Sequence, residues 1–379
     1  MYNDVISFIR ETCKTPSEFI PLHEPRFVGN EKKYVMDTID STFVSSVGKY
    51  VDRFEEMMRE YTGAKYAIAV VNGTAALHIS LILAGVKKHD LVITQALSFI
   101  ATCNAISYIG AEPAFIDIDP KRLGMSAEAL RTFLKDVELF NGDAIHKPTG
   151  KKIAACVPMH TFGHPVEIDT IVSLCKEYNI AVVEDAAESL GSTYKGQQTG
   201  TFGLLGIYSF NGNKTITCGG GGIVVTNDDE LGKMAKHLTT QAKVPHRWEY
   251  VHDHIGFNYR CPNLNSALAC AQLEQLDCFI KNKRETAKKY SNFFKNSTIT
   301  FVEEPANSQS NYWLNAVILP SFEERNAFLT ETNDKQVMTR PIWALMHRLD
   351  MFKQCIHDEL TNSIEIERRL VNIPSSVIL

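Results

Sequence analysis

The stretch Ser209-Phe210-Asn211-Gly212-Asn213-Lys214, followed by Thr215-Ile216-Thr217-Cys218 and four glycines, Gly219 to Gly222, decides how this chain is read. It places one lysine between two strand-like runs, Gly206–Phe210 and Ile223–Thr226. The neighbours are small or glycine, so a flat molecule can approach the backbone closely. A desolvated amine sheds its proton more readily and becomes nucleophilic, which suits Schiff-base chemistry. A solvated lysine in a glycine-rich loop fits the same letters, and the residues upstream separate the two readings.

Working outward, short β-branched runs alternate with helical patterns from about residue 64 to 226, the signature of a mainly parallel sheet flanked by helices. The runs predict seven strands: Tyr66–Val71, Leu91–Thr94, Ala114–Ile118, Ile153–Val157, Ala181–Glu184, Gly206–Phe210 and Gly222–Thr226. Helices are predicted over Thr74–Ala84, Ile100–Ile109, Ala127–Lys135 and Ile168–Tyr178. Beyond residue 230 the helices lengthen, with one from Asn265 through Phe279 toward Phe294. A strand pair near Thr298–Val302 and Tyr312–Leu319 and a helix from Phe322 follow. The expected layout is an N-terminal arm over 1–40, carrying Pro16, Pro21 and Pro25, a large α/β domain over 41–240 and a small α+β domain over 241–379.

A chain of 379 residues exceeds what one core usually serves, which also favours two domains. The formal net charge of −5 offers no general attraction to nucleic acid or anionic membrane, so phosphate binding has to be local. Nine cysteines without C-x-x-C or metal-ligand spacing read as reduced thiols, and no metal site is expected. The N-terminus lacks a signal pattern and no apolar run reaches spanning length, so the expected location is the cytoplasm.

Three upstream motifs carry chemistry. Asn72-Gly73-Thr74-Ala75-Ala76-Leu77 follows a strand and opens a helix, so it is either a phosphate-binding helix N-terminus or a helix capped by Thr74. Val182-Val183-Glu184-Asp185-Ala186-Ala187-Glu188 puts acids at a strand tip, where an open α/β sheet binds ligands. A carboxylate buried there calls for a cation, such as a protonated pyridine nitrogen; otherwise Asp185 caps the next helix. Phe99, in Ser98-Phe99-Ile100-Ala101-Thr102, either stacks on a planar heterocycle or fills the core. Neither the G-x-x-x-x-G-K-[ST] phosphate loop nor the G-x-G-x-x-G dinucleotide fingerprint occurs.

A phosphate cradle, a stacking aromatic, an acid at a strand tip and a Schiff-base lysine are what a pyridoxal phosphate enzyme asks of its protein. In that order and with those residues, the chain resembles the DegT-type sugar aminotransferase family of fold-type-I pyridoxal phosphate (PLP) enzymes. The likeness extends through Val47-Gly48, Phe54-Glu55, Gly110-Ala111-Glu112-Pro113 and His160-Thr161-Phe162-Gly163-His164-Pro165 to Asn258-Tyr259-Arg260 and Ala271-Gln272-Leu273.

The resemblance implies that Lys214 bonds the coenzyme aldehyde and shuttles the proton, that Asp185 pairs with the pyridinium and that Phe99 stacks on the ring. It implies phosphate contacts from Thr74, Ala75 and Ser209, and from Asn258 across a homodimer with shared active sites. Glu188 falls where relatives often carry Gln or His beside the 3-hydroxyl, a departure that bears on the protonation of that oxygen. Asn211 would face the substrate. The implied reaction is ping-pong, with L-glutamate leaving as 2-oxoglutarate, the cofactor cycling through pyridoxamine phosphate, and a nucleotide-diphosphate keto-sugar taking the amine. Pro21-Leu22-His23-Glu24-Pro25, Val28-Gly29-Asn30-Glu31 and Ser45-Ser46-Val47-Gly48-Lys49 resemble the branch acting on the C4 ketone of 4-keto-6-deoxy N-acetylhexosamines, for bacterial surface glycans. Arg26, Lys33, Lys49, Arg260 and above all Arg340 are candidates for its charged groups. Gln241–His254, with His246, Trp248 and His252, either lines the substrate cleft or forms a surface loop. Two rivals remain, a sugar dehydratase of the same fold and a non-catalytic scaffold; those dehydratases carry histidine where Lys214 stands.

Overall fold

The computed structural model describes residues 2–379. Helices α1 (Asn3–Thr12), α2 (Glu31–Asp40) and α3 (Lys49–Thr62) precede strand β1 (Tyr66–Val70). Strand and helix then alternate through α4 (Gly73–Leu83), β2 (Leu91–Gln95), α5 (Ile100–Tyr108), β3 (Glu112–Ile116) and α6 (Ala127–Phe133). A hairpin of β4 (Val137–Phe140) and β5 (Asp143–His146) leads into β6 (Lys151–Val157), α7 (Ile168–Glu177) and β7 (Ala181–Asp185). The short β8 (Thr193–Tyr194) and β9 (Gln197–Gln198), then β10 (Leu205–Ser209), β11 (Gly222–Thr226) and α8 (Asp229–Thr239), complete this half.

Runs of Val, Ile, Leu and Ala without polar alternation are what a sheet covered on both faces requires. All five residues of β2 and of β11 are buried. The main sheet runs in the order β1-β11-β10-β7-β6-β2-β3, with the β4–β5 hairpin attached to the edge of β6. The seven predicted strands are all there. From β10 to β3 the neighbours are parallel, whereas β11 is antiparallel to both β1 and β10. Two reversals restore direction, so the C-terminal ends of β1, β10, β7, β6 and β2 open on one edge. That edge holds the crevice.

The hairpin was not expected from the sequence. Its turn, Asn141-Gly142, has positive φ at both residues (51° and 87°), as a tight two-residue hairpin demands.

In the second half, the expected continuous helix from Asn265 is two helices, α9 (Asn263–Leu273) and α10 (Leu276–Phe294). They part at Glu274, whose carboxylate accepts bonds from Asn30, Tyr34 and Arg53. There follow β12 (Thr300–Phe301), β13 (Ser308–Gln309), β14 (Asn315–Ile318), α11 (Phe322–Asp334), β15 (Arg340–Pro341), α12 (Thr361–Arg369) and β16 (Leu370–Ile373). An antiparallel sheet of order β12-β14-β16-β15 forms here, while β13 pairs with β8 of the first half.

Two expected boundaries are crossed by packing. The stretch expected as an arm begins with α1, which buries Val5, Ile6 and Ile9 against Tyr290, Phe294, Phe301 and Phe328 of the second half. Conversely, Ala267, Ala269, Cys270 and Leu273 of α9 bury against Phe54, Met58, Phe210 and Ile223 beside the large sheet. Apolar faces, not position along the chain, decide which core each helix joins.

Candidate functional site

β7 ends on Asp185, which is 3% exposed. One carboxylate oxygen accepts from Thr102 Oγ1 at 2.6 Å and the other from the Ala187 amide at 3.1 Å. Among the described residues no cation lies within ion-pair distance of it. Burial raises its pKa, opposed by the Thr102 and Ala187 bonds and by the more distant charge of Lys214. A buried carboxylate with two donors and no counter-charge is a site waiting for a cation.

Behind Asp185, Glu184 is fully buried and structural. It accepts from the amides of Gly200, Phe202 and Gly203 at 2.8, 2.6 and 2.7 Å, and from His160 Nε2 at 3.1 Å. The other ring nitrogen of His160 faces the Val166 amide at 3.3 Å, so it accepts there and the proton sits on Nε2.

Lys214 lies past the end of β10, in the turn between β10 and β11. Its ammonium is 3.3 Å from Glu188 Oε1 and 3.9 Å from the centre of the Trp313 ring. Trp313 is held in turn, its indole N–H donating to Asn213 O at 2.7 Å and its amide to Asn311 Oδ1 at 2.8 Å. Asn311 also donates to the carbonyls of Glu188 and Leu190, tying both walls together. The second Glu188 oxygen accepts the Phe162 amide at 2.9 Å. Burial pushes the Glu188 carboxyl up to about 7, against the pull of Lys214 and of the Phe162 bond and with a further push from Asp185. Ala187, Glu188, Ser209, Lys214 and Trp313 line one small cleft. A wider groove, lined by Asp119, Arg122, Lys295 and Glu303, shares none of these residues.

Thr74 and Ala75 stand in the first turn of α4. The cap is not Thr74 but Asn72, whose Oδ1 accepts the Ala75 amide at 2.8 Å. Among the described residues the amides of Gly73 and Thr74 have no partner, as a helix start leaves them. Ser209 faces this turn: a Cβ added to Gly73 would come within 2.9 Å of the Ser209 Cβ. Gly222 pairs with Val70 on one side and Ser209 on the other, and a Cβ there would come within 2.9 Å of the Gly73 nitrogen. Two free amides, a hydroxyl and a positive helix end make an anion cradle.

Phe99 is no core residue. It precedes α5, is 46% exposed, and its ring centre lies 6.0 Å from that of Trp343. Asn211 is exposed and donates to Asn213 Oδ1 at 3.3 Å. Asn258 and Arg340 are exposed and outside this cluster, Asn258 bridged to Thr240 beside α8 and Arg340 paired with Asn372 in the small sheet. The sequence reading missed Thr102, Trp313 and Asn311. Thr102 stands three residues after Phe99 in the sequence; Trp313 and Asn311 carry no local mark.

The group the sequence suggested can be tested against these residues. A pyridine N–H would complete Asp185, a phosphate would complete the Gly73–Thr74 turn with Ser209, and an aldehyde would meet the only lysine of the cleft. The residues present fit PLP.

Comparison with known proteins agrees. Residues 25–379 match the DegT/DnrJ/EryC1/StrS aminotransferase family. A protein of Escherichia coli O157:H7 named GDP-perosamine synthase is 39% identical over 359 residues, covering 94% of this chain and 93% of its own. A second of that name, from Vibrio cholerae, is 36% identical over 361 residues and 94% of each chain. Among solved structures, the aminotransferase TlmJ from Streptoalloteichus hindustanus superposes with a TM-score of 0.86 at 25% identity, over 94% of this chain and 93% of that one. This chain belongs to the DegT/DnrJ/EryC1/StrS aminotransferase family and is a PLP-dependent sugar aminotransferase.

Proposed function

We propose that the enzyme moves an amino group from L-glutamate to the C4 ketone of a GDP-linked 4-keto-6-deoxyhexose, as a homodimer with shared active sites. The observation that carries the chemistry is the pair of groups 185 and 214: a buried carboxylate without a counter-cation and a part-buried amine held between Glu188 and Trp313. The bound coenzyme supplies an electron sink for the pair left on the substrate carbon after deprotonation. Asp185 keeps the pyridine nitrogen protonated. Lys214 Nζ takes up the proton that leaves the substrate carbon and later returns it. Gly73, Thr74, Ala75 and Ser209 bind and orient the phosphate, and Phe99 covers one ring face. Glu188, poised near 7, holds or releases a proton beside the lysine.

The shared name of the two relatives supports GDP and a sugar without an N-acetyl group, whereas residues 21–31 and 45–49 had pointed to N-acetylhexosamines. Purified enzyme incubated with glutamate and a panel of GDP-, UDP- and dTDP-4-keto-6-deoxy sugars, acetylated and not, decides by mass spectrometry. Exchange of oxygen for NH₂ on an N-acetylated UDP sugar alone would refute the GDP reading. Shared sites are supported by the exposure of Phe27, Val28, Met36, Phe43 and Val47, an apolar stretch that a monomer would leave in water. Mixing inactive Lys214→Ala and Asn258→Ala chains should restore activity through heterodimers carrying one intact site; no recovery after subunit exchange excludes sharing.

A further inference from the structure

Outside the crevice, three side chains with metal-binding chemistry converge. His237 comes from the last turn of α8, and Asp253 and His254 from the returning arm of the 241–258 excursion. His237 Nε2 lies 2.6 Å and His254 Nδ1 2.9 Å from one and the same oxygen, Asp253 Oδ1. The three ligand atoms lie within 4.8 Å of one another. The two rings stand at 89°, with centres 5.7 Å apart, so each aims an in-plane nitrogen at the carboxylate from its own direction.

The arms that carry them are tied. The Val244 amide donates to Val251 O at 2.9 Å, and Phe257 donates to Leu238 O at 2.7 Å. His252 Nδ1 bonds Gln241 O at 2.8 Å. The outer nitrogens, His237 Nδ1 and His254 Nε2, have no partner among the described residues.

Two imidazoles and one carboxylate suit a borderline cation of the zinc class. Magnesium and calcium take oxygen sets instead. Metal–ligand bonds of about 2.0–2.2 Å would need Asp253 and His254, both exposed, to draw back slightly from their present spacing to the half-buried His237. We propose that His237, Asp253 and His254 form a binding site for a zinc-class divalent cation that staples the 241–258 excursion to α8. On binding, the ring protons now facing Asp253 move to the outer nitrogens, so a neutral imidazole keeps its one proton and a charged one releases one to solvent. No electron changes hands. The staple lies beside the Thr240–Asn258 bridge, so the cation would firm the segment that presents Asn258.

The test uses tag-free, chelator-stripped holoenzyme in a Cys278→Ser background, because Cys278 is an exposed thiol that could bind zinc by itself. Calorimetric titration with Zn²⁺, and with Co²⁺ read by its visible absorption, should show one saturable equivalent per chain. His254→Ala and Asp253→Asn should each weaken that binding by about a hundredfold or more. Zn²⁺ should also slow proteolytic cleavage within 243–252 in the parent and not in the variants. Absence of saturable binding, or binding unchanged in both variants, overturns the proposal.

Discussion

The floor of the crevice and its rim are built to different standards. On the floor, Asp185, Glu184, Glu188 and Thr102 are buried, and every carboxylate oxygen has a donor. On the rim, Asn211, Asn258 and Arg340 stand exposed, and Arg340 and Asn258 make no side-chain bond among the described residues. Burial explains the contrast. A polar group shut away from water costs several kcal/mol unless it is paired, so the floor must be completed by this chain as it folds. The rim is under no such pressure and can wait for a ligand or a second chain. One asymmetry remains on the floor: Asp185 has donors and no cation.

Substitutions can break or sharpen this contrast. The largest effect is expected from Lys214→Ala, which should cut transamination by more than about 10⁴-fold and abolish the visible absorption band of bound coenzyme. Asp185→Ala should lower the rate by about 10²–10³-fold. The cofactor-free variant should melt no lower than the parent, since an uncompensated buried charge has been removed; a clearly lower melting temperature would mean that Asp185 is structural.

Glu188→Gln addresses pH. Burial raises this carboxyl from its ordinary 4.5 to about 7, so the folded protein holds the proton more tightly than the unfolded chain does. Its contribution to stability is therefore complete below pH 4.5 and is lost as the pH rises to about 7. Over that window the cofactor-free parent should lose roughly 3 kcal/mol relative to Glu188→Gln, measured by denaturation at each pH. A flat difference would show that Lys214 compensates the charge fully. On the rim, Arg340→Ala should raise KM for the nucleotide sugar less than about tenfold and leave kcat unchanged. A large fall in kcat would move Arg340 from rim to floor.

The same contrast sets what was legible in the sequence. Strands such as Leu91–Gln95 and Gly222–Thr226 announce themselves because burial on both faces admits only apolar residues. Lys214, Asp185 and the Asn72-Gly73-Thr74 turn were visible because each needs a particular residue at a strand end. Trp313 and Asn311, about a hundred residues downstream of Lys214, reach the site only through packing of the second half onto the first. The parting of α9 from α10 at Glu274 was equally silent, with neither glycine nor proline to mark it. The Asn141-Gly142 turn carries a hairpin signature, but the adjacent apolar pair Leu139-Phe140 breaks the polar–apolar alternation that marks a half-buried strand.

Gly222 touches no ligand-binding atom through a side chain of its own, yet it stands in register between the two halves of the anion cradle. Its missing methyl works as a gauge block, setting how far Ser209 stands from the start of α4. The fit of an anion in this cradle would thus depend on a residue that offers it no side-chain contact. Enlarging it should loosen the coenzyme's grip while leaving every recognised binding group in the gene.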